Sequence, residues 1–272
     1  MSPILHPRSH IRDLRSYAAV LFLQALQDMN PLPIKVGRWL LILFLAFTAN
    51  SSRAQDTLPS DLRHLYFPLH PQRPWTYAVG ITATTMPYEI TEELHYRIPA
   101  LEFQALRSVG KNLSLHGRAS VQGFQNYFSV GPRWNARLSN RVSVGLGDDV
   151  AFWFGFVNIE GFKTRGTGWQ NFPHASIGYR FNRQVLLTLR AEQIMNLGVS
   201  PYAGDIKING NYHLFSGSTY TLMLEQPFYG RNKRLAIGLR GMYTSFFWQT
   251  WSAFSTVDRN YFYPQLIVCL IL

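Results

Sequence analysis

The sequence of 272 residues predicts an all-β fold: a transmembrane, antiparallel, up-and-down β-barrel of about ten strands. Three observations carry this prediction. Several segments alternate between apolar and polar residues, short polar turns precede four of them, and charged residues make up only 15% of the chain. A soluble globular domain carries about 25% charged residues. Low charge combined with alternation therefore favours strands that turn one face to lipid.

Connection lengths predict the topology. Longer connections lie at the end of the strands opposite the short turns, near 85–96, 156–169, 197–217 and 247–260. One further connection at that end, 124–126, is short. An even number of strands with short turns at one end is typical of bacterial barrels, whose short turns and termini are periplasmic. The short turns centre on Asn112, Asn140, Asn182 and Asn232, and the strands are predicted near 75–84, 97–107, 113–123, 127–138, 141–155, 170–181, 185–196, 218–228, 234–246 and 261–272.

The alternation also separates a barrel from a soluble sandwich. In segment 141–156, Val142, Val144 and Leu146 alternate with Ser143 and Gly145. A sandwich buries its apolar face between two sheets. Here the opposite face carries Gly, Ser, Thr, Arg and Glu, which suits a polar lumen and leaves the apolar face for lipid.

The strand count leaves two alternatives. Asn209-Gly210 is a strong hairpin signal within 206–212. We interpret it as a hairpin projecting above the membrane; if it enters the bilayer, the barrel has twelve strands. A count of eight requires discarding a well-patterned strand.

The N-terminal region predicts an export signal. Basic residues from Lys35 to Arg38 precede the apolar run WLLILFLAFTA and a stretch of small residues ending at Ala54. The predicted organisation is a non-native extension over 1–28, a signal peptide over 29–54, a periplasmic lead-in over 55–74 and the barrel over 75–272. The single cysteine, Cys269, excludes a disulfide framework within the chain.

The final strand resembles the C-terminal targeting signal of outer-membrane barrels, which the barrel-assembly machinery reads. Leu266, Val268, Leu270 and Leu272 place an apolar residue at every second position. The terminal aromatic residue usual in that signal is replaced by Leu272. An aromatic girdle at the membrane interface is predicted from Tyr127, Trp169, Trp248, Trp251, Tyr261, Phe262 and Tyr263.

The sixth and seventh strands hold the candidate catalytic residues. If their apolar residues share one face, His174 lies opposite Glu192 and Ser176 opposite Arg190. A Ser–His–Glu group is the constellation of a nucleophilic hydrolase. The pattern His174-x-Ser176 also resembles that of lipid A deacylases, which implies a lipid hydrolase. Ile177 stands where that family has Asn, and both residues face the lumen here rather than lipid.

The remaining inward polar residues predict an ion-paired lumen. Buried charges are costly unless paired, so a narrow barrel fills its interior with ion pairs. The predicted set is Glu102, His116, Arg118, Arg133, Arg137, Asp149, Arg180, Arg190, Glu192, Glu225 and Arg240. No metal or cofactor is predicted, and the Glu89, Glu92, Glu93 and His95 group is interpreted as a solvated acidic loop.

In general appearance the sequence resembles small outer-membrane barrels of Gram-negative bacteria. That resemblance implies a non-enzymatic scaffold whose outer loops bind a partner, with outer-membrane lipids and lipopolysaccharide around it. A narrow passive pore and a deacylase-like hydrolase are the alternatives. The net charge of +11 is spread over single arginines rather than gathered in a nucleic-acid reader motif, so nucleic acid is not an expected partner.

Overall fold

The computed structural model describes residues 63–91, 97–159, 162–182, 184–210, 212–228, 233–253 and 259–272. The chain divides into two units, Met1–Ala54 and Gln55–Leu272, and the described residues belong to the second. The predicted extension, the signal peptide and the first residues of the lead-in lie outside the described residues. So do Glu92, Glu93 and His95 of the acidic loop.

Ten antiparallel strands close a barrel, as predicted. Within the described residues, β1 pairs with β11, β6 with β7 and β7 with β9, while the two-residue β8 pairs with β7. The strands are β1 (Trp75–Thr85), β2 (Arg97–Ser108), β3 (Leu113–Val121), β4 (Gln125–Arg137), β5 (Val142–Ile159), β6 (Phe162–Arg180), β7 (Leu186–Ala203), β8 (Ile206–Lys207), β9 (Phe215–Phe228), β10 (Lys233–Thr244) and β11 (Tyr261–Ile271). A helical turn α1 (Tyr88–Thr91) and a 3-10 helix (Trp248–Ala253) lie in the connections.

Three strands run further than the sequence predicts. β5, β6 and β7 have 18, 19 and 18 residues, so the predicted loop at 156–169 is largely a hairpin. A tilted strand crosses a bilayer with about 9–11 residues. Gly166 and Gly168, within that predicted loop, lie in β6, where indole rings pack against them. The hairpin predicted at Asn209-Gly210 instead turns at 204–205, between β7 and β8.

The outer face of the barrel is apolar. Large apolar side chains are exposed along every one of the ten strands, whereas soluble monomers rarely expose such continuous apolar surface. This is the surface of a protein whose strands cross a lipid bilayer. No helix in the described part of the chain has the length and apolar character needed to cross a membrane. Representative exposed residues are Ile81, Leu101, Leu115, Val130, Leu146, Ile177, Leu189, Leu222, Leu239 and Leu266.

The interior is filled at both ends. At the short-turn end, where β2, β4, β6 and β9 end, residues 63–74 lead into β1, and residues 64–69 lie inside the barrel. We call residues 63–74 the lumenal segment. At the opposite, long-loop end, aromatic residues form a second cluster, the aromatic cap. The cap comprises Tyr127, Trp153, Phe247, Trp248, Trp251, Tyr261 and Tyr263 with Met86 and Met242. A polar layer lies between the segment and the cap.

Candidate functional site

The lumenal segment is anchored through its backbone. The carboxylate of Glu225, on β9, accepts hydrogen bonds from the amides of Leu65 (2.8 Å), Tyr66 (3.2 Å) and Phe67 (3.0 Å). Glu225 is fully buried, and Leu65 is only 1% exposed. Amides carried into a barrel need such partners, because an unpaired buried N–H is costly. Residues 64–69, within the predicted periplasmic lead-in, therefore lie inside the lumen.

Side chains of the segment fit against the inner wall. A Cβ on Gly178 would lie 2.5 Å from Cε2 of Phe67 and 2.6 Å from Cδ of Pro68. The missing side chain on β6 thus creates the space that Phe67 fills. On the opposite side of the segment, Nη1 of Arg133 donates to the carbonyl oxygen of Leu65 (3.3 Å).

One histidine of the segment is deeply buried. His64 is 1% exposed, and burial, assisted by the positive charge of Arg234, lowers its pKa from 6.5 to about 4. Desolvation disfavours the charged imidazolium, so His64 is neutral at pH 7 while the segment is seated.

The polar layer contains a bidentate ion pair between neighbouring strands. Arg118 on β3 donates from Nε to Oε2 of Glu102 (2.6 Å) and from Nη2 to Oε1 (2.7 Å). Thr82 adds a hydrogen bond to Oε1 (3.2 Å). Glu102 is fully buried, so this pairing offsets its desolvation.

A second ion-pair group spans four strands. Nη2 of Arg190 lies 3.0 Å from Oδ2 of Asp149 and 2.7 Å from Oε1 of Glu192. Arg133 lies 3.7 Å from the same Asp149 oxygen and donates to Nδ1 of His116 (2.7 Å). The nitrogen that accepts this bond is unprotonated, so His116 is a neutral member of the group.

The fourth arginine of the layer is held by neutral groups. Arg240 donates from Nε to Thr221 (3.1 Å) and from Nη1 to Gln265 (3.1 Å). A cavity of about 50 Å³ lies beside it, bounded by Tyr66 of the lumenal segment at one end and by Phe247 and Trp248 of the cap at the other. A water molecule needs roughly 10–15 Å³, so this space is large enough for a few waters.

The aromatic cap corrects the predicted interface girdle. Trp251 is 1% exposed and Tyr263 is 1% exposed, and both point into the barrel. The girdle prediction is wrong for Tyr127, Trp248, Trp251, Tyr261 and Tyr263, all of which are buried. Only Trp169 and Phe262 of the predicted set face outward. Aromatic residues at the ends of membrane strands do not reveal from sequence which face they occupy.

Glycines on the inner wall explain why the cap fits. A Cβ on Gly166 would lie 2.7 Å from Cε3 of Trp251, and one on Gly168 would lie 2.5 Å from Nε1 of Trp153. Gly155 also lies against the Trp251 indole. The cap further packs Tyr127 on Trp248 with ring centroids 5.4 Å apart.

Two predicted lumen arginines lie elsewhere. Arg137 is exposed at the β4–β5 turn and donates to the carbonyl of Ser139 and to Asn140, so its placement in the lumen network is wrong. Arg180 is buried at the short-turn rim, where it donates to the carbonyl of Asn140 (2.6 Å). The other predicted members face the interior.

The candidate hydrolase residues Ser176, His174 and Glu192 lie on one face, but the contacts that they make within the described part of the chain do not join them into a chain of hydrogen bonds. The register pairs His174 with Glu192 and Ser176 with Arg190, the pairing that the alternation predicts. The hydroxyl of Ser176 donates to the carbonyl of Gly145 (3.4 Å), and Nδ1 of His174 lies 3.0 Å from the carbonyl of Phe172. Oε1 of Glu192 is bound by Arg190. Nucleophilic catalysis requires a hydrogen bond from serine to its base, and these contacts are directed elsewhere.

Sequence reasoning missed the lumenal segment and its anchor contacts. The run Leu65-Tyr66-Phe67 was the available signal, because three large apolar residues are unusual in an otherwise polar, proline-rich lead-in. Arg234 was also missed, although it is buried and donates to the carbonyl of Glu225 (3.2 Å).

Comparison with known proteins gives only distant similarities. No protein-family model and no curated protein matches the chain. The chain is similar to the KdgM porin, with 8% identity, 71% of this chain and 97% of that chain covered, and a TM-score of 0.35. It is also similar to the translocator domain of the autotransporter NalP from Neisseria meningitidis (8% identity, 72% and 86% covered, TM-score 0.41). These neighbours are outer-membrane β-barrels, but identities and TM-scores this low carry no argument about function.

Proposed function

We propose that this protein is a closed β-barrel of the bacterial outer membrane that acts as an interaction scaffold through its long-loop rim. The observation that carries the proposal is the filled lumen. The lumenal segment occupies one end, the aromatic cap the other, and ion pairs the layer between them. A passive pore needs a continuous aqueous path, and a cavity of about 50 Å³ does not supply one.

The extended β5–β6 hairpin favours binding at the long-loop rim. Each of its strands exceeds a bilayer crossing by roughly eight residues, which is about 25 Å of additional strand. Exposed apolar side chains lie on or beside this extension, including Phe156 (57% exposed) and Ile206 (71% exposed). Rigid strands that carry exposed apolar residues beyond the bilayer suit contact with a protein partner.

A basic row on the same extension suits lipid phosphates. The register places Arg165, Tyr202 and Lys207 side by side on β6, β7 and β8, with the guanidinium of Arg165 4.7 Å from the Tyr202 ring. Trp169 follows four residues along β6 and is exposed on the outer face, as an aromatic residue at a membrane interface would be. We expect lipopolysaccharide to co-purify with the wild-type barrel, and the double substitution Arg165→Ala/Lys207→Ala to reduce the retained amount.

Planar-bilayer conductance tests the closed lumen. We expect no steady single-channel current from the wild type, because the segment and the cap each block the path. Deletion of residues 63–69 or Trp251→Ala alone leaves the other block and the ion-paired layer in place, so neither is expected to conduct. The combined variant keeps only the ion-paired layer and the rest of the cap, and it is expected to show more current than either single variant. Trp134→Ala is the matched control, since Trp134 is 44% exposed on the outer face. Steady current through the unmodified barrel would identify a pore and overturn the proposal.

Localisation and assembly have a separate test. Leu266 and Val268 face outward on β11 next to β1, and Leu272, directly after the strand, is also exposed. We expect the protein to fractionate with outer membranes and to migrate differently on gels before and after boiling. Replacing Leu266 and Val268 with Ser is expected to lower the folded fraction, and recovery of the protein in a soluble fraction would contradict the assignment.

A further inference from the structure

Three groups able to bind a metal ion meet at the centre of the lumen. Asp149 lies on β5, His174 on β6 and Glu192 on β7, and a donor atom from each lies within 4.8 Å of the other two. His174 is directly opposite Glu192 in the β6–β7 register and opposite Gly147 in the β5–β6 register. Asp149 is the next inward residue after Gly147, so the group follows from alternation and pairing on three adjacent strands.

The contacts of His174 leave its second nitrogen available. Nδ1 lies 3.0 Å from the carbonyl oxygen of Phe172, which only accepts, so Nδ1 carries the proton. Nε2 then keeps its lone pair. A hydrogen bond from one ring nitrogen to a carbonyl is the arrangement that orients metal-binding histidines. Gly147 leaves the space that the imidazole occupies.

The two carboxylates are held in a similar way. Arg190 lies 3.0 Å from Oδ2 of Asp149 and 2.7 Å from Oε1 of Glu192, so it orients both groups through one oxygen each. The second oxygen of Asp149, Oδ1, is buried without a hydrogen-bond partner among the described residues. Asp149 is only 5% exposed, and leaving such an oxygen unpaired is costly.

We propose that Asp149, His174 and Glu192 bind one first-row divalent transition-metal ion, such as Zn²⁺, inside the barrel. Imidazole nitrogen and carboxylate oxygen are both donor types that zinc accepts. Tetrahedral ligands of zinc stand roughly 3.4 Å apart, so small side-chain rotations complete the site. A water molecule from the adjoining cavity takes the fourth position.

The location gives the ion a structural role. Asp149 and Glu192 line the larger cavity, and His174 lines a smaller one beside the lumenal segment, with Arg190 between them. A bound ion therefore ties β5, β6 and β7 together where the two cavities meet. This inference does not depend on the proposed scaffold role, because metal binding is measured independently of conductance.

The test uses untagged, full-length protein in detergent micelles, freed of metal with EDTA. Titration with Co²⁺, followed by visible absorption, and displacement by Zn²⁺ are expected to show one ion per chain. His174→Gln and Glu192→Gln are each expected to weaken binding at least tenfold. Ser176→Ala is the matched control, because Ser176 is on the same strand and face and contributes no donor to the group. Its affinity is expected to be unchanged.

The variants are compared only after boiled and unboiled samples show that each is folded. X-ray absorption of the Zn²⁺-loaded wild type counts imidazole ligands without any variant and is expected to find one. Absence of Co²⁺ binding by the wild type would overturn the proposal. So would equal affinity in a folded His174→Gln variant, or a zinc site with no imidazole or with several.

Discussion

Substitution of Glu225 with Gln is expected to loosen the lumenal segment. The Glu225 carboxylate accepts three backbone hydrogen bonds, from Leu65, Tyr66 and Phe67, with both of its oxygens. A glutamine side chain has a single acceptor oxygen and turns an NH₂ group toward at least one of these amides. At least one hydrogen bond is lost, and the NH₂ group of the glutamine then faces a backbone N–H, which is also a donor.

The magnitude follows from the number of contacts. A hydrogen bond to a charged group contributes about 1.5–3 kcal/mol, and an unpaired buried donor adds a further cost. Loss of one or two of the three bonds therefore weakens the seating of the segment by about 3 kcal/mol. That corresponds to roughly a hundredfold increase in the population with the segment released.

Hydrogen exchange at the amides of Leu65, Tyr66 and Phe67 measures that population. In Glu225→Gln these amides are expected to exchange about 100 times faster, while amides of the strands keep their rates. Glu102→Gln is the matched control, because Glu102 is equally buried but pairs with Arg118 and not with the segment. Unchanged exchange in Glu225→Gln, or equal acceleration in Glu102→Gln, would refute the anchoring role.

Three further outcomes are expected. Gly178→Val displaces Phe67 and costs about 1.5–3 kcal/mol of apolar burial, seen as 10- to 100-fold faster exchange at the Phe67 amide. Arg118→Ala leaves Glu102 buried without its cation and destabilises the barrel by about 3–5 kcal/mol, measured by denaturant unfolding. Acid is expected to release the lumenal segment. His64 binds a proton below about pH 6.5 when the segment is released, but only below about pH 4 when it is seated in the barrel. The free energy that favours the seated state therefore falls by about 3 kcal/mol between pH 6.5 and pH 4. The rate of amide hydrogen exchange in the lumenal segment, compared with the rate in the strands, measures this loss.

Each of these outcomes has a control in the chain. Gly198→Val adds a side chain where no atom lies within 4 Å, so segment exchange is expected to stay unchanged. Arg137→Ala removes an exposed arginine at a turn and is expected to cost little stability. For the acid effect, His64→Leu is expected to remove the dependence on pH. A pH dependence that survives in His64→Leu would assign the effect to another group.

Much of the wall of the barrel was predictable because it depends on local pattern. The alternation of Val144, Leu146 and Ser143 depends only on the two-residue period of a strand, so the lipid-facing and lumen-facing sets followed directly. The opposition of His174 and Glu192 followed as well, because one register aligns the apolar faces of two neighbouring strands.

Placement along and inside the barrel was harder to predict. The loop predicted over 156–169 is largely strand, and Gly166 and Gly168 within it are strand residues that make room for indole rings. Aromatic residues at strand ends suit either the membrane interface or the lumen, and five of the seven predicted interface residues are buried in the cap. Because an aromatic side chain fits both the membrane interface and the lumen, its place in the sequence does not indicate which of the two it occupies.

By itself the sequence determined a ten-stranded barrel with a polar interior, since period-two patterning and connection length are properties of short stretches of chain. Only the tertiary structure decided what fills the interior. The contacts that fill it join residues far apart in sequence, such as the Leu65 amide and Glu225, or the Trp251 indole and Gly166. No local pattern encodes such pairs, because they form only after the ten strands have enclosed the space that the segment and the cap fill.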